Sequence, residues 1–338
     1  MRPPNPVWPV VTAKIKRPPW TLPVIVFAQF AGTSIWFSGN AVLAELMQRW
    51  SSPSSMAGWI TSAVQLGFIA GTLVFAIFAV SDRFSPRWVF LLCAVAGSLS
   101  NLLTGPAGNS LAGLLVLRCI TGFFLAGIYP VGMKIAAGWY QKGLGNALGF
   151  LIGALVLGTA FPHLLKGGLS SVPWQAVIVL SSGVCLLGGL LMFLLIPDGP
   201  YLVAGARFNP RAVVAMFGHR ELRAAALGYF GHMWELYTLW AFVPVFLAAY
   251  LSSVPGLSRN VSFWSFLIIG IGSVGCSLGG LVSARVGSAR VAFIQLAVSG
   301  ICCLFSPLFF AAPPSLFLVF MLLWGCLLYT SDAADELT

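Results

Sequence analysis

Glu235 lies about twelve residues into an apolar run, 223–250. A charge at the centre of a bilayer costs roughly 2.5–3.5 kcal/mol on insertion scales, so a carboxylate there is a candidate for chemistry. His232 precedes it by three residues and Tyr229 by six, at helical spacing. A carboxylate beside an imidazole can relay a proton or contact a polar solute. The competing reading is a structural ion pair between helices. Arg118 is the only basic residue well inside a run. Its planar fork suits an anion or a carboxylate partner, or braces neighbouring helices. Gln29, Trp36 and Asn40 are spaced seven and then four, which puts them on one helical face. An amide-and-indole stripe suits hydrogen bonding and stacking to a solute, or ordinary interhelical bonding. Gln65 reads as structural. His163 and Trp174, near the ends of their runs, read as interfacial.

The elements that must position these groups are helices in a membrane. Hydrophobic residues make up 59% of the chain and charged residues 8%, against about 25% charged in a soluble domain. The apolar residues fall in long runs at 22–47, 55–80, 88–104, 110–135, 143–165, 174–196, 223–250, 261–283 and 291–311, with a tenth at 315–328. Most reach the ~20 residues a bilayer-crossing helix needs. They lack the alternation of a membrane strand. Continuous runs suit helices, which close their own backbone hydrogen bonds. The expected fold class is an all-α polytopic membrane protein in a lipid bilayer.

The N-terminal stretch MRPPNPVWPVVTAKIKRPPW is no signal peptide, because the run after it is too long and has no small-residue cleavage site. With that end placed in the cytoplasm, fourteen Lys and Arg fall on the inside and three, Arg49, Lys166 and Arg259, on the outside. That asymmetry sets the orientation by the positive-inside rule. It also accounts for the net charge of +10 without nucleic acid. Six of seven cysteines lie in apolar runs, without metal spacing, and read as buried free thiols. Three widely spread histidines make no metal set, and no nucleophile elbow or phosphate-binding glycine loop occurs. A membrane enzyme, ATP-driven transport and a resident cofactor are therefore not expected. A non-transporting receptor is the remaining rival.

The chain divides into a cytoplasmic tail (1–21), a six-helix half (22–196), a polar linker (197–222) and a second half (223–325). The halves echo each other. SDRFSPRW (81–88) and SARVGSARV (283–291) align at a shift of 202, pairing Arg83 with Arg285. A short basic turn after the second helix of each half is a parallel-repeat signal. In the first copy, Asp82, Arg83 and Arg87 combine both charges. Such groups can hold helix ends in one state and release them in another, whereas a purely topogenic loop needs no Asp82.

On these residues the chain resembles the major facilitator superfamily. Asp82, Arg83 and Arg87 match the family's loop between helices 2 and 3, though Phe78 and Ser85 stand where its glycines do. The second copy keeps Gly280 and Gly287 but has Ala284 in place of the acid. Arg118 and Gly122 match the Arg-x-x-x-Gly pattern of helix 4. The resemblance covers residues 22 to about 325. It implies secondary transport of a small solute by alternating access, as a monomer in a bacterial cytoplasmic membrane. It also implies that helices 1, 4 and 7 line the cavity, making Gln29, Trp36, Asn40, Arg118, Tyr229, His232 and Glu235 the expected contacts. Proton coupling through Glu235 and His232 and an anionic solute are favoured, with a facilitator or a drug or sugar transporter as alternatives. The family pairs helix 5 with helix 8, and helix 2 with helix 11. Gly145, Gly149 and Gly153 on one side, and Gly272, Gly275 and Gly279 on the other, suit the first contact. Gly67 and Gly71 suit the second.

The C-terminal CLLYTSDAADE resembles, codon by codon from Cys326 to Asp335, the translation of a common transposase sequencing adapter. Residues 326–338 are therefore read as non-native, and the expected natural fold has about twelve helices, of which about ten are in view.

Overall fold

The computed structural model describes residues 17–50, 56–105, 110–140, 143–168, 173–202, 209, 215, 217–254 and 260–328. The expected tail up to residue 16, most of the linker and the sequence from residue 329 lie outside them. Among the described residues all regular structure is helical.

Helix breaks fall where the sequence inserts Gly, Ser, Thr or Pro, residues that compete with or abandon the helical ladder. The first span is split into α1 (Thr21–Thr33) and α2 (Ser38–Ala41), the break following Gly32-Thr33-Ser34. An amphipathic α3 (Leu43–Trp50) follows, and then the unbroken α4 (Met56–Ile77). Ala79 takes a left-handed conformation, φ 48°. It turns the chain into the short α5 (Val80–Arg83), before α6 (Pro86–Leu103) starts on a proline in its first turn. The fourth span is again split, into α7 (Leu111–Leu125) and α8 (Tyr129–Trp139). The Ser110 hydroxyl caps α7 by accepting from the Gly113 amide at 3.0 Å. Two long helices complete the first half, α9 (Leu144–Gly168) and α10 (Trp174–Leu195).

The second half opens with α11 (Arg220–Ser253), 34 residues long. Next come α12 (Val261–Gly270) and α13 (Gly272–Val286), which form one broken span. Gly287, at φ 95°, starts α14 (Ser288–Phe309), a conformation that L side chains rarely adopt. The last helix, α15 (Pro314–Leu328), runs through Cys326 and buries Leu328. Among the described residues eight helical spans are long and apolar enough to cross a membrane, and α1 and α15 are shorter apolar helices.

Close packing rests on small residues, since apolar burial gives no drive between helices in lipid. Gly158 of α9 lies against Phe30 and Thr33 of α1, and Gly188 of α10 lies against Ala28 and Ala31. Gly67 and Gly71 of α4 pack on the Cys119 and Phe123 backbone of α7, and Gly122 returns the contact at Val64. This corrects the expected partner of that stripe. A glycine on each helix lets α4 and α7 approach within their own half.

The halves meet where α9 packs on α12 and α13. A methyl built on Gly167 would lie 2.7 Å from the Phe263 amide nitrogen, one on Gly153 3.2 Å from the Ser273 oxygen, and one on Gly149 3.9 Å from the Cys276 oxygen. Of these approaches the closest is at Gly167 and the loosest at Gly149. Gly272, Gly275 and Gly279 are buried, as is Gly149, while Gly145 is half-buried.

Candidate functional site

The break in the first span strips the Ile35 and Trp36 carbonyls of helical partners. Arg118 of α7 supplies them. Its guanidinium donates to the Ile35 oxygen at 3.1 Å, to Asn101 Oδ1 at 3.1 Å and to Ser38 Oγ at 3.3 Å. It also donates to the Trp36 carbonyl. Asn101 in turn donates to Ser182 Oγ at 2.9 Å, so one polar network joins the first, third, fourth and sixth spans. Gly39 leaves room for the guanidinium: a methyl there would meet Arg118 Nε at 3.3 Å. Arg118 is wholly buried, and only its Nε lacks a hydrogen-bond partner. In this conformation its donors go to backbone and amide oxygens, not to a cavity.

Held this way, the break turns Trp36 towards the junction of the halves. Its ring centroid lies 4.8 Å from Phe68 of α4, 6.5 Å from Tyr129 of α8 and 6.3 Å from Tyr237 of α11. Its indole nitrogen donates to Gln65 Oε1 at 3.4 Å. Phe37 meets Trp240 at 5.2 Å, and Tyr237 meets Trp240 at 5.4 Å. A cavity of about 580 Å³ opens beside this cluster between α4 and α11. Thr61, Gln65 and Phe68 line it from α4, and Tyr229, Tyr237 and Thr238 line it from α11. Asn40 sits behind this wall and donates to Thr61 Oγ1 at 2.8 Å. Gln29 is fully buried, its amide packed on Gly132 of α8 with neither polar atom hydrogen-bonded.

Glu235 points elsewhere. Its Oε1 accepts from Ser299 Oγ at 2.5 Å and from Cys303 Sγ at 3.5 Å. Trp324 Nε1 donates to the same serine at 3.1 Å. The carboxylate lines a second cavity of about 320 Å³ between α11, α14 and α15, which shares Trp234, Thr238 and Phe242 with the first. His232 is fully buried and lines neither cavity. The expected single face thus becomes two. Each three-residue step on a helix falls short of a full turn by about 60°, so Tyr229 and Glu235 point roughly 120° apart. His163, expected at the interface, is buried.

The end of the bundle carrying the 81–88 turn gathers most of the remaining charge. Lys134 of α8 pairs with Asp82 and donates to the Ser81 carbonyl at 2.8 Å. Ser85 donates to Asp198 Oδ2 at 2.6 Å, and Arg87 Nε lies 3.9 Å from that oxygen. The start of the linker is tied down beside them: the Tyr201 amide donates to the Gly138 carbonyl at 2.9 Å, and Trp139 Nε1 donates to the Pro197 carbonyl at 3.1 Å. Arg83 is exposed, and Arg285 is exposed at the end of α13. At the opposite end Lys166 of α9 pairs with Glu45 of α3. Beside it Asn260 donates from its amide to the Gly167 carbonyl at 2.9 Å and caps α12 by accepting from the Phe263 amide at 3.0 Å.

Sequence reasoning missed Tyr237, Trp240 and Ser299, and undervalued Gln65. Tyr237 and Trp240 stand three apart in the same run as Glu235, a signal that was present. Ser299 carried none, because a lone serine is common in membrane helices.

A broken first span, paired halves and a cavity between them define a polytopic helical membrane protein with a two-half core. The sequence profile of the Major Facilitator Superfamily matches residues 24–331, and the chain belongs to that family. It is 23% identical over 289 residues to the "Probable sulfoacetate transporter SauU" of Cupriavidus necator, an alignment covering 75% of this chain and 65% of that protein. It is 27% identical over 114 residues to the "D-galactonate transporter" of Escherichia coli, covering 33% of this chain and 26% of that one. The chain thus spans under two thirds of either relative's length. Among solved structures, an inward-facing, unoccupied bacterial homolog to the human lysosomal transporter Spinster superposes with a TM-score of 0.69 at 17% identity, covering 95% of this chain and 75% of that one. FucP in its outward conformation gives a TM-score of 0.66 at 15% identity, with 93% and 82% covered.

Proposed function

We propose that this protein moves a small solute across a bacterial cytoplasmic membrane by alternating access, with its N-terminus in the cytoplasm and no catalysis. The observation that carries the reading is the junction of Trp36, Gln65 and Tyr237. Residues from both halves meet there, beside a cavity of about 580 Å³. Aromatic faces and an amide suit a small polar solute, and a site shared by two halves changes shape when they rock. The close approach of Gly167 to Phe263, tied by the Asn260 contact, fits a conformation closed at that end. Family membership supports transport, and relatives named for sulfoacetate and D-galactonate favour an organic anion. Arg118 does not carry that preference, since it is wholly buried and both its terminal nitrogens already donate to the helix break and Asn101. Glu235, hydrogen-bonded to Ser299 beside a cavity that shares three lining residues with the first, is the candidate proton site.

Counterflow into proteoliposomes tests the reading. Labelled sulfoacetate and D-galactonate are expected to accumulate in vesicles preloaded with the same anion, more so with an inward proton gradient. Accumulation of a neutral sugar alone would reject the anion preference. Vesicles that accumulate neither anion would reject the substrate reading.

A further inference from the structure

A groove of about 460 Å³ runs along the outside of the first half, at the end bearing the 81–88 turn. It is lined by Phe75 at the end of α4, Val80 of α5, Phe84, and Trp88, Leu92 and Cys93 of α6. Phe84 and Leu92 are about three-fifths exposed there, at 60% and 61%. The left-handed Ala79 makes the turn after α4 from which α5 and Phe84 follow.

The charges around this groove are unequal. Asp82 is paired with Lys134. Asp198 shares one oxygen between the Ser85 hydroxyl and a distant contact with Arg87. Arg87 lies over the Phe193 ring at 5.4 Å, and that ring also packs on Trp88 at 4.2 Å. One guanidinium is thereby linked to the groove wall. Its Nε has no hydrogen bond. Arg83 is exposed and forms no ion pair among the described residues. One exposed arginine without an ion pair, Arg83, and one half-buried arginine, Arg87, whose unpartnered Nε is itself buried, therefore stand against one partly neutralised carboxylate in the turn that adjoins an apolar trough.

We propose that this groove is a binding site for an anionic phospholipid, one acyl chain lying along Phe84, Trp88 and Leu92 and the phosphate held by Arg83 and Arg87. The occupant follows from charge complementarity. An exposed apolar trough suits a hydrocarbon chain, and basic residues of the adjoining turn draw an anionic headgroup from the leaflet surface. Guanidinium forks match phosphate oxygens in pairs. The site lies outside the inter-half cavity, so the proposal stands whether or not the protein transports a solute.

Native mass spectrometry of the detergent-purified 338-residue chain, given equimolar phosphatidylglycerol and phosphatidylethanolamine of matched acyl chains, tests it. The chain is expected to retain the anionic lipid preferentially. Each of R83Q and R87Q should cut that preference roughly fivefold, from about one surface-cation contact apiece. R290Q, in the corresponding turn of the other half, should leave it unchanged. L92W alters a largely exposed side chain, fills the trough and should lower retention of both lipids. Equal retention of the two lipids by the unaltered chain overturns the proposal. So does undiminished phosphatidylglycerol preference in R83Q/R87Q. If that double variant does not fold, R83Q alone with L92W decides.

Discussion

The Asn260 side chain donates a hydrogen bond to the Gly167 carbonyl oxygen, 2.9 Å away on the other half of the molecule. The same amide caps its own helix at Phe263. This is the tightest point of the α9–α12 contact, where an added methyl would come within 2.7 Å of a backbone nitrogen. Overpacking of this kind costs about 1–3 kcal/mol. Gly167→Ala is therefore expected to loosen this end, with faster hydrogen–deuterium exchange at 163–168 and 261–266 and none of that change in α6. Exchange identical to the unaltered protein would show that the contact does not hold the end closed.

Arg118 is expected to be a stability residue first. Removing it leaves the buried Trp36 carbonyl without its donor and the Ile35 carbonyl with the Ser38 hydroxyl alone. Arg118→Met should destabilise the protein by about 1–3 kcal/mol, the cost of orphaning a buried acceptor. Arg118→Lys should recover part of that, keeping the charge but losing the fork. Thermal unfolding in detergent reads both. An unshifted melt for Arg118→Met would contradict the bracing role.

Gln65 accepts from the Trp36 indole, so Gln65→Leu orphans a buried donor at a cost of about 1–3 kcal/mol. If the junction contacts solute, the same change should raise the KM of uptake roughly tenfold or more, at 1.4 kcal/mol per decade. A purely structural amide would lower the melting temperature and leave KM where it was. Uptake kinetics at matched surface expression separate the two.

Glu235→Gln keeps the acceptor that Ser299 uses and removes the titratable group. Folding and counterflow exchange should survive, while stimulation of uptake by a proton gradient should disappear. Unaltered stimulation in that variant would sink the proton role and leave Glu235 as a structural member of the Ser299–Trp324 network.

Some of this was legible in the chain itself. The apolar runs predicted the membrane helices, because burial in lipid is a local property of each segment. Gly149 and Gly153 of α9 face the eighth span, while Gly158 of the same helix faces α1, so small residues declare a close approach without naming the partner. Contact identity was less legible. Gly67 and Gly71 advertised a close contact, yet nothing in their spacing said that α7 rather than a more distant helix would meet them.

The sequence by itself thus determined the class: helical, polytopic and membrane-embedded, with few polar groups to weigh inside the spans. The tertiary structure decided what those groups do. Arg118 became a brace because the first span breaks at Ser34–Phe37 and leaves carbonyls to be satisfied. Glu235 and Tyr229 were parted by the rotation of one helix, and Trp36 reached Tyr237 only because that break turned it towards the other half. The physical reason is the same in each case. Hydropathy acts along the chain, whereas helix rotation and break geometry are set by partners more than eighty residues away, as Arg118 is from Ile35.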